Sequence, residues 1–241
     1  MTERNHHPWK YYNVVAVSFL LLTSSSLIAQ SANKPTGFID FNGYYDTRNY
    51  SVLTYNILTN LPNRVQYFSL TNIQGSQANT ELSNYYAEHN IRFAVSEASP
   101  FDATVQYVMK SGENNDKIRL GVRWRMNNFK ALSDIMKKWN FTYSINPMFI
   151  EYGVGSDPNY FATIEHVYCV KFLKNKFYLA GFADQNFIDI SDGLKTNWVT
   201  EHQLGYNLYN NFYVVAEYRI NEYQKDQETG IGLGVEYKIQ F

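Results

Sequence analysis

The chain has 241 residues, with 21 Lys and Arg against 22 Asp and Glu and a single Cys. The even charge balance excludes the basic footprint of a nucleic-acid binder, and one cysteine excludes both an internal disulfide framework and a thiolate zinc site. Aromatic residues make up 17% of the chain and Pro is scarce at 6, which argues against disorder, yet the mean hydropathy is negative at −0.39.

In chain order, the first thirty residues stand apart. A polar start with Arg4 and Lys10 leads into the apolar run Val14-Val15-Ala16-Val17-Ser18-Phe19-Leu20-Leu21-Leu22, then the small residues Thr23 to Ser26 and Leu27-Ile28-Ala29. This reads as a secretory signal peptide over 1–29, cleaved near Ala29 and Gln30, with 30–241 as the working domain. The competing reading, a membrane anchor, needs roughly twenty apolar residues where this run has about nine.

From Gly37 onward a period-two alternation of apolar and polar residues recurs, broken by short turn clusters. Strands are expected at 37–47, 50–60, 64–74, 85–97, 101–111, 116–126, 139–152, 160–172, 177–187, 197–208, 212–223 and 230–241. About twelve strands, each with its connection taking about 17 residues, suit an all-β antiparallel transmembrane barrel. Tight turns are expected at Leu61-Pro62-Asn63, Ala98-Ser99-Pro100, 173–176 and 209–211. Longer loops are expected on the other side at 74–83, 153–159, 188–196 and 224–229. Residues 127–138, with Ala131-Leu132-Ser133-Asp134-Ile135-Met136, break that rule and read as a short helix on the turn side.

Alternation assigns the faces. In 116–126, Ile118, Leu120, Val122, Trp124 and Met126 point one way and Lys117, Arg119, Gly121, Arg123 and Arg125 the other. In 212–223, Val214, Ala216, Tyr218 and Ile220 oppose Glu217, Arg219 and Asn221. A charge at the bilayer midplane costs about 2–4 kcal/mol, so the charged set must line a lumen and the apolar set must face lipid. Tyr107, Trp124, Trp139, Tyr206 and Tyr237 are expected in interfacial girdles. A soluble sandwich is the rival fold, but its exposed face would rarely carry so many paired opposite charges.

The expected pore lining is Tyr44, Phe68, Tyr86, Glu88, Arg92, Lys110, Arg119, Arg123, Arg125, Asp184, Glu201, Glu217, Arg219 and Glu236. The basic members Arg92, Lys110, Arg119, Arg123 and Arg125 fall on strands 4 to 6, and Asp184, Glu201, Glu217 and Glu236 on strands 9 to 12. That predicts a basic wall facing an acidic one in a barrel of roughly 12 Å backbone radius. Such a field suits a small polar solute, with Tyr44, Phe68 and Tyr86 as stacking platforms. The bland alternative is a salt-bridged plug in a closed structural or adhesive barrel.

Enzyme signals are weak. His89 and His166 fall on the apolar-facing set, neither His-x-Ser nor Gly-x-Ser-x-Gly occurs, and Cys169 alternates inward as a small filler. No catalytic residue, metal or cofactor is expected. Gly230-x-Gly232-x-Gly234 has no helix after it and reads as a crowded inward strand face.

The chain ends on a strand whose every second residue from Phe241 back is apolar (Ile239, Tyr237, Val235, Leu233, Ile231). This terminal strand resembles the assembly signal of bacterial outer-membrane barrels, with Tyr237 and Phe241 as its carriers and the barrel assembly machinery as the implied partner. More widely, Tyr44-Tyr45-Asp46-Thr47-Arg48, Leu53-Thr54-Tyr55-Asn56, 180–187 and the two last strands resemble the nucleoside-specific channel (Tsx-like) family or a related outer-membrane barrel family. That resemblance implies a monomeric twelve-stranded barrel in the outer-membrane bilayer, with a narrow pore that binds nucleosides weakly. The chain departs from it in being short and in carrying the 127–138 segment.

Overall fold

A computed structural model describes residues 34–75 and 82–241; the expected cleavage site near Ala29 lies outside them. Twelve strands form one closed antiparallel barrel in which each strand pairs with its sequence neighbour and the first pairs with the last. They are β1 (Thr36–Asp46), β2 (Tyr50–Leu61), β3 (Val65–Gly75), β4 (Leu82–Ala94), β5 (Phe101–Lys110), β6 (Lys117–Arg125), β7 (Phe141–Tyr152), β8 (Tyr160–Phe172), β9 (Phe177–Ile190), β10 (Gly193–Tyr209), β11 (Phe212–Asn221) and β12 (Thr229–Gln240). The last rung of the seam is reciprocal: the Gly37 N–H donates to the Phe241 carbonyl at 2.8 Å and the Phe241 N–H to the Gly37 carbonyl at 3.1 Å. Closure leaves no strand edge, which is what allows a sheet to sit in hydrocarbon without bare backbone donors and acceptors.

Both chain ends of the barrel lie at one rim, called here the terminal rim; the other is the distal rim. Tight turns at the terminal rim use the left-handed backbone region, with Asn63 at φ 61°, Asn175 at φ 62° and Asn210 at φ 49°. Asn tolerates that region better than most side chains, and such turns match the twist of the flanking strands. The expected long loop at 188–196 is instead a hairpin: β9 runs to Ile190 and β10 restarts at Gly193, whose φ of 119° suits glycine. The longest connection, at the terminal rim, holds a 3₁₀ turn (Met126–Asn128) and the helix α1 (Lys130–Lys138), where the sequence places a helix.

Alternation carries through to burial. On β5, Phe101, Ala103 and Val105 are exposed while Asp102, Thr104, Gln106 and Val108 between them are buried. On β6, Ile118, Leu120 and Val122 stand outside and Arg119 and Arg123 inside. The apolar set thus makes a lipid-facing wall and the polar set fills most of the barrel, which also holds a buried apolar cluster of Tyr44, Val52, Tyr178 and Val215. A Cβ at Gly230 would run into the Arg48 guanidinium and one at Gly234 into the Gly43 carbonyl, so the inner face at 230–234 is crowded.

The lipid-facing wall is mostly apolar; Ser69, Thr71, Gln185 and Thr200 also face outward, and three polar pairs recur on it. His89, His166 and His202 each face outward, and the Nδ1 of each lies 2.7 Å from a tyrosine hydroxyl, of Tyr67, Tyr143 and Tyr168 respectively. Each phenol thereby gives a membrane-level imidazole its partner.

Candidate functional site

The inward side chains form a lattice of ion pairs and hydrogen bonds. At the terminal rim a vestibule of about 280 Å³ is lined by Asn60, Arg64, Gln66, Glu97 and Asp102 together with Arg92, Arg123 and Arg125. These residues come from the rim ends of β2 to β6 and their turns. Asp102 is shared by two arginines, with Arg123 Nε donating at 2.6 Å and Arg125 Nη2 at 3.0 Å. Arg123 Nη1 also donates across the barrel to Gln66 Oε1 at 2.6 Å, and Arg64 Nη1 to the Val95 carbonyl at 2.8 Å. Among the described residues the Nε of Arg92 and of Arg125 have no acceptor. Four guanidinium groups against two carboxylates, with two N–H donors unspent, make this a cationic chamber.

A second group is acidic. Glu88 accepts from Asn90 Nδ2 at 2.7 Å and from the Tyr86 hydroxyl at 3.1 Å. Glu165 accepts from Asn146, and Arg92 reaches toward it from β4 to β8 at 3.9 Å, spanning the lumen. Among the described residues Asp184 has no ion pair, and one of its carboxylate oxygens has no partner.

Elsewhere the charges are clamped. Arg119 and Lys117 hold Glu151 at 2.8 and 2.9 Å. Arg219 is bonded to Glu217 and lies 3.3 Å from Glu201. Lys238 sits 3.0 Å from Glu236 and 3.8 Å from Asp40, while the Tyr178 hydroxyl donates to Glu236 from across the wall at 2.7 Å. The Gln203 amide closes the same side, its Nε2 donating to Asn42 Oδ1 at 3.1 Å.

The structure therefore corrects the expectation of two opposed walls. Asp102 and Glu88 stand among the cations of β4 to β6, and Arg219 and Lys238 among the acids of β9 to β12, so most charges are neutralised on their own side. Desolvation is the reason: a buried ion without an immediate partner is far costlier than a pair in contact. The proposed stacking platforms are also occupied. Tyr44 lies under the Arg219 guanidinium at 5.8 Å, Phe68 under Arg92 at 5.5 Å, and Tyr86 is bonded to Glu88. Lys110 has inward register but is exposed at the distal end of β5 rather than lining the lumen's interior. Cys169 is inward on β8, paired with Ala180.

Several lattice members escape a reading by sequence. Asp102 is legible by parity but sits next to the turn before β5, and Asp40 is legible by parity on β1. Glu151 is hidden by a β-bulge: Met148 pairs with Gly121 and Ile150 with Leu120, leaving Phe149 out of the ladder. That extra residue, beside Pro147, flips the parity of the strand end and turns Glu151 inward.

No protein-family model and no curated protein matches this chain. Solved structures do. The KdgM porin aligns over 83% of this chain and 98% of its own at 14% identity and a TM-score of 0.51. A second KdgM structure, in complex with disordered oligogalacturonate, aligns with the same values. The NanC porin aligns over 83% of this chain and 100% of its own at 10% identity and a TM-score of 0.54. In fold, the chain is a closed twelve-stranded antiparallel barrel similar to these porins, with a largely apolar outer wall.

Proposed function

We propose that this barrel is an outer-membrane channel for small acidic solutes, with the terminal rim facing the periplasm and the arginine vestibule as its binding chamber. The single observation that carries the reading is that chamber: Arg64, Arg92, Arg123 and Arg125 around about 280 Å³. Guanidinium groups match carboxylates in shape and charge, and they keep their charge at any physiological pH. The oligogalacturonate in the KdgM complex is one member of the solute class with this chemistry. Nucleosides, which the sequence resemblance implies, are neutral at physiological pH and give the chamber nothing to neutralise. Tyr237 and Phe241 remain the proposed contact for the barrel assembly machinery, and 1–29 the proposed export signal.

A second reading, a closed barrel without transport, is favoured by the contacts that cross the lumen: Arg92 to Glu165, Arg123 to Gln66 and Tyr178 to Glu236. Single-channel recording in a planar bilayer separates the two. The channel reading expects an anion-selective conductance that short oligogalacturonate blocks and nucleosides leave unchanged, with Arg125→Ala weakening the block. Absence of any conductance from correctly folded barrels supports the closed reading. Block by nucleosides alone restores the nucleoside assignment.

A further inference from the structure

The helix α1 at the terminal rim is absorbed by neither reading. It carries two adjacent apolar stripes. Leu132 and Met136, four apart, turn toward the barrel, and Met136 is only 7% exposed. Ala131, Ile135 and Trp139, again four apart, form the next stripe, with Ile135 60% and Trp139 68% exposed. The apolar arc is thus wider than the surface the barrel covers. The rest of the helix surface carries Lys130, Lys137 and Lys138 with Asp134 as the lone acid.

What covers the bare stripe follows from its neighbours. An aromatic series runs from the lipid-facing wall onto the helix: Phe101 stacks on Trp124 at 6.1 Å, and Trp124 meets Phe129, the N-cap of α1, edge-on at 6.0 Å. On the far side the chain re-enters the same wall through Phe141 and Tyr143, stacked at 6.0 Å. The stripe is therefore continuous with the lipid-facing surface at its rim, where amphipathic aromatics and lysines meet headgroups.

We infer that α1 is an interfacial foot: it lies in the leaflet at the terminal rim, with Ile135 and Trp139 in the acyl boundary and Lys130, Lys137 and Lys138 gathering the phosphates of anionic phospholipids. Lysine stems cover apolar surface while their ammonium groups stay at phosphate level, each contributing about 1 kcal/mol near an anionic surface. Interfacial helices of this composition bind through buried apolar area plus headgroup charge.

The test uses the whole barrel refolded in phosphatidylcholine vesicles containing a minority of brominated lipid, either phosphatidylglycerol or phosphatidylcholine. The emission of Trp139, taken as the difference between wild type and Trp139→Phe, is expected to be quenched by the brominated lipid and shielded from aqueous iodide. Brominated phosphatidylglycerol is expected to quench about twofold more than brominated phosphatidylcholine, reflecting lysine recruitment. Lys130→Gln, Lys137→Gln and Lys138→Gln together should remove that preference while leaving the quenching itself. Quenching by iodide and not by lipid would overturn the foot and point to a protein partner or bare solvent. Equal quenching by the two lipids in the wild-type protein overturns the anionic-headgroup assignment.

Discussion

The outer and inner walls of this barrel are made from the same strands, and they handle polar groups in opposite ways. Outside, the three imidazoles are each met by one phenol, a neutral pair spanning neighbouring or next-neighbouring strands. Inside, the polar groups are ions held in shared clusters, such as Asp102 between Arg123 and Arg125 and Glu151 between Arg119 and Lys117. Hydrocarbon tolerates a polar group only when one hydrogen bond satisfies it and no net charge remains; a lumen with many donors tolerates charge if the cluster is complete. The walls therefore differ in what removing one partner leaves behind.

The largest effect is expected inside. Asp102→Ala leaves Arg123 and Arg125 facing each other without their carboxylate, and should cost about 3–5 kcal/mol in urea unfolding of the vesicle-embedded barrel. A cost no greater than that of an exposed pair would mean the cluster is solvated. On the outside, Leu120→Arg puts a charge on the lipid-facing wall and should cost about 2–4 kcal/mol in the same assay. Tyr143→Phe strips His166 of its partner and should cost about 1–3 kcal/mol, most of it recovered when His166→Phe is added. No recovery in the double variant would show that the ring contacts, not the hydrogen bond, are what matter. Smallest is Glu201→Gln, under about 1 kcal/mol, because Glu217 still holds Arg219; a larger loss would make Glu201 the principal partner.

How much of this was legible follows from the physics of strands. Period two is set by the backbone, so the facing of Arg119, Arg123, Glu217 and Glu236 could be read residue by residue and matches the structure. Pairing across strands depends on register, which one sequence does not display. That is why Asp102 was not seen among the arginines it neutralises, and why the Tyr67 to His89 pair was invisible although both residues were assignable to the outside. Bulges defeat even the local rule, as at Phe149. The helix at 130–138 was legible from its own apolar spacing, but its setting against the aromatic rim was not.

The reciprocal rung between Gly37 and Phe241 has a consequence for how the barrel comes into being. It joins residues about 200 positions apart, whereas the other strand pairs are joined by short connections, so closure has the highest contact order in the molecule and is the slowest pairing to reach. Until β12 has been made, β1 is a raw edge open to pairing with another chain. A chain cut short by a single strand would be no smaller barrel, only an open sheet with two adhesive sides, and its fate would be decided by whatever holds β1 while it waits.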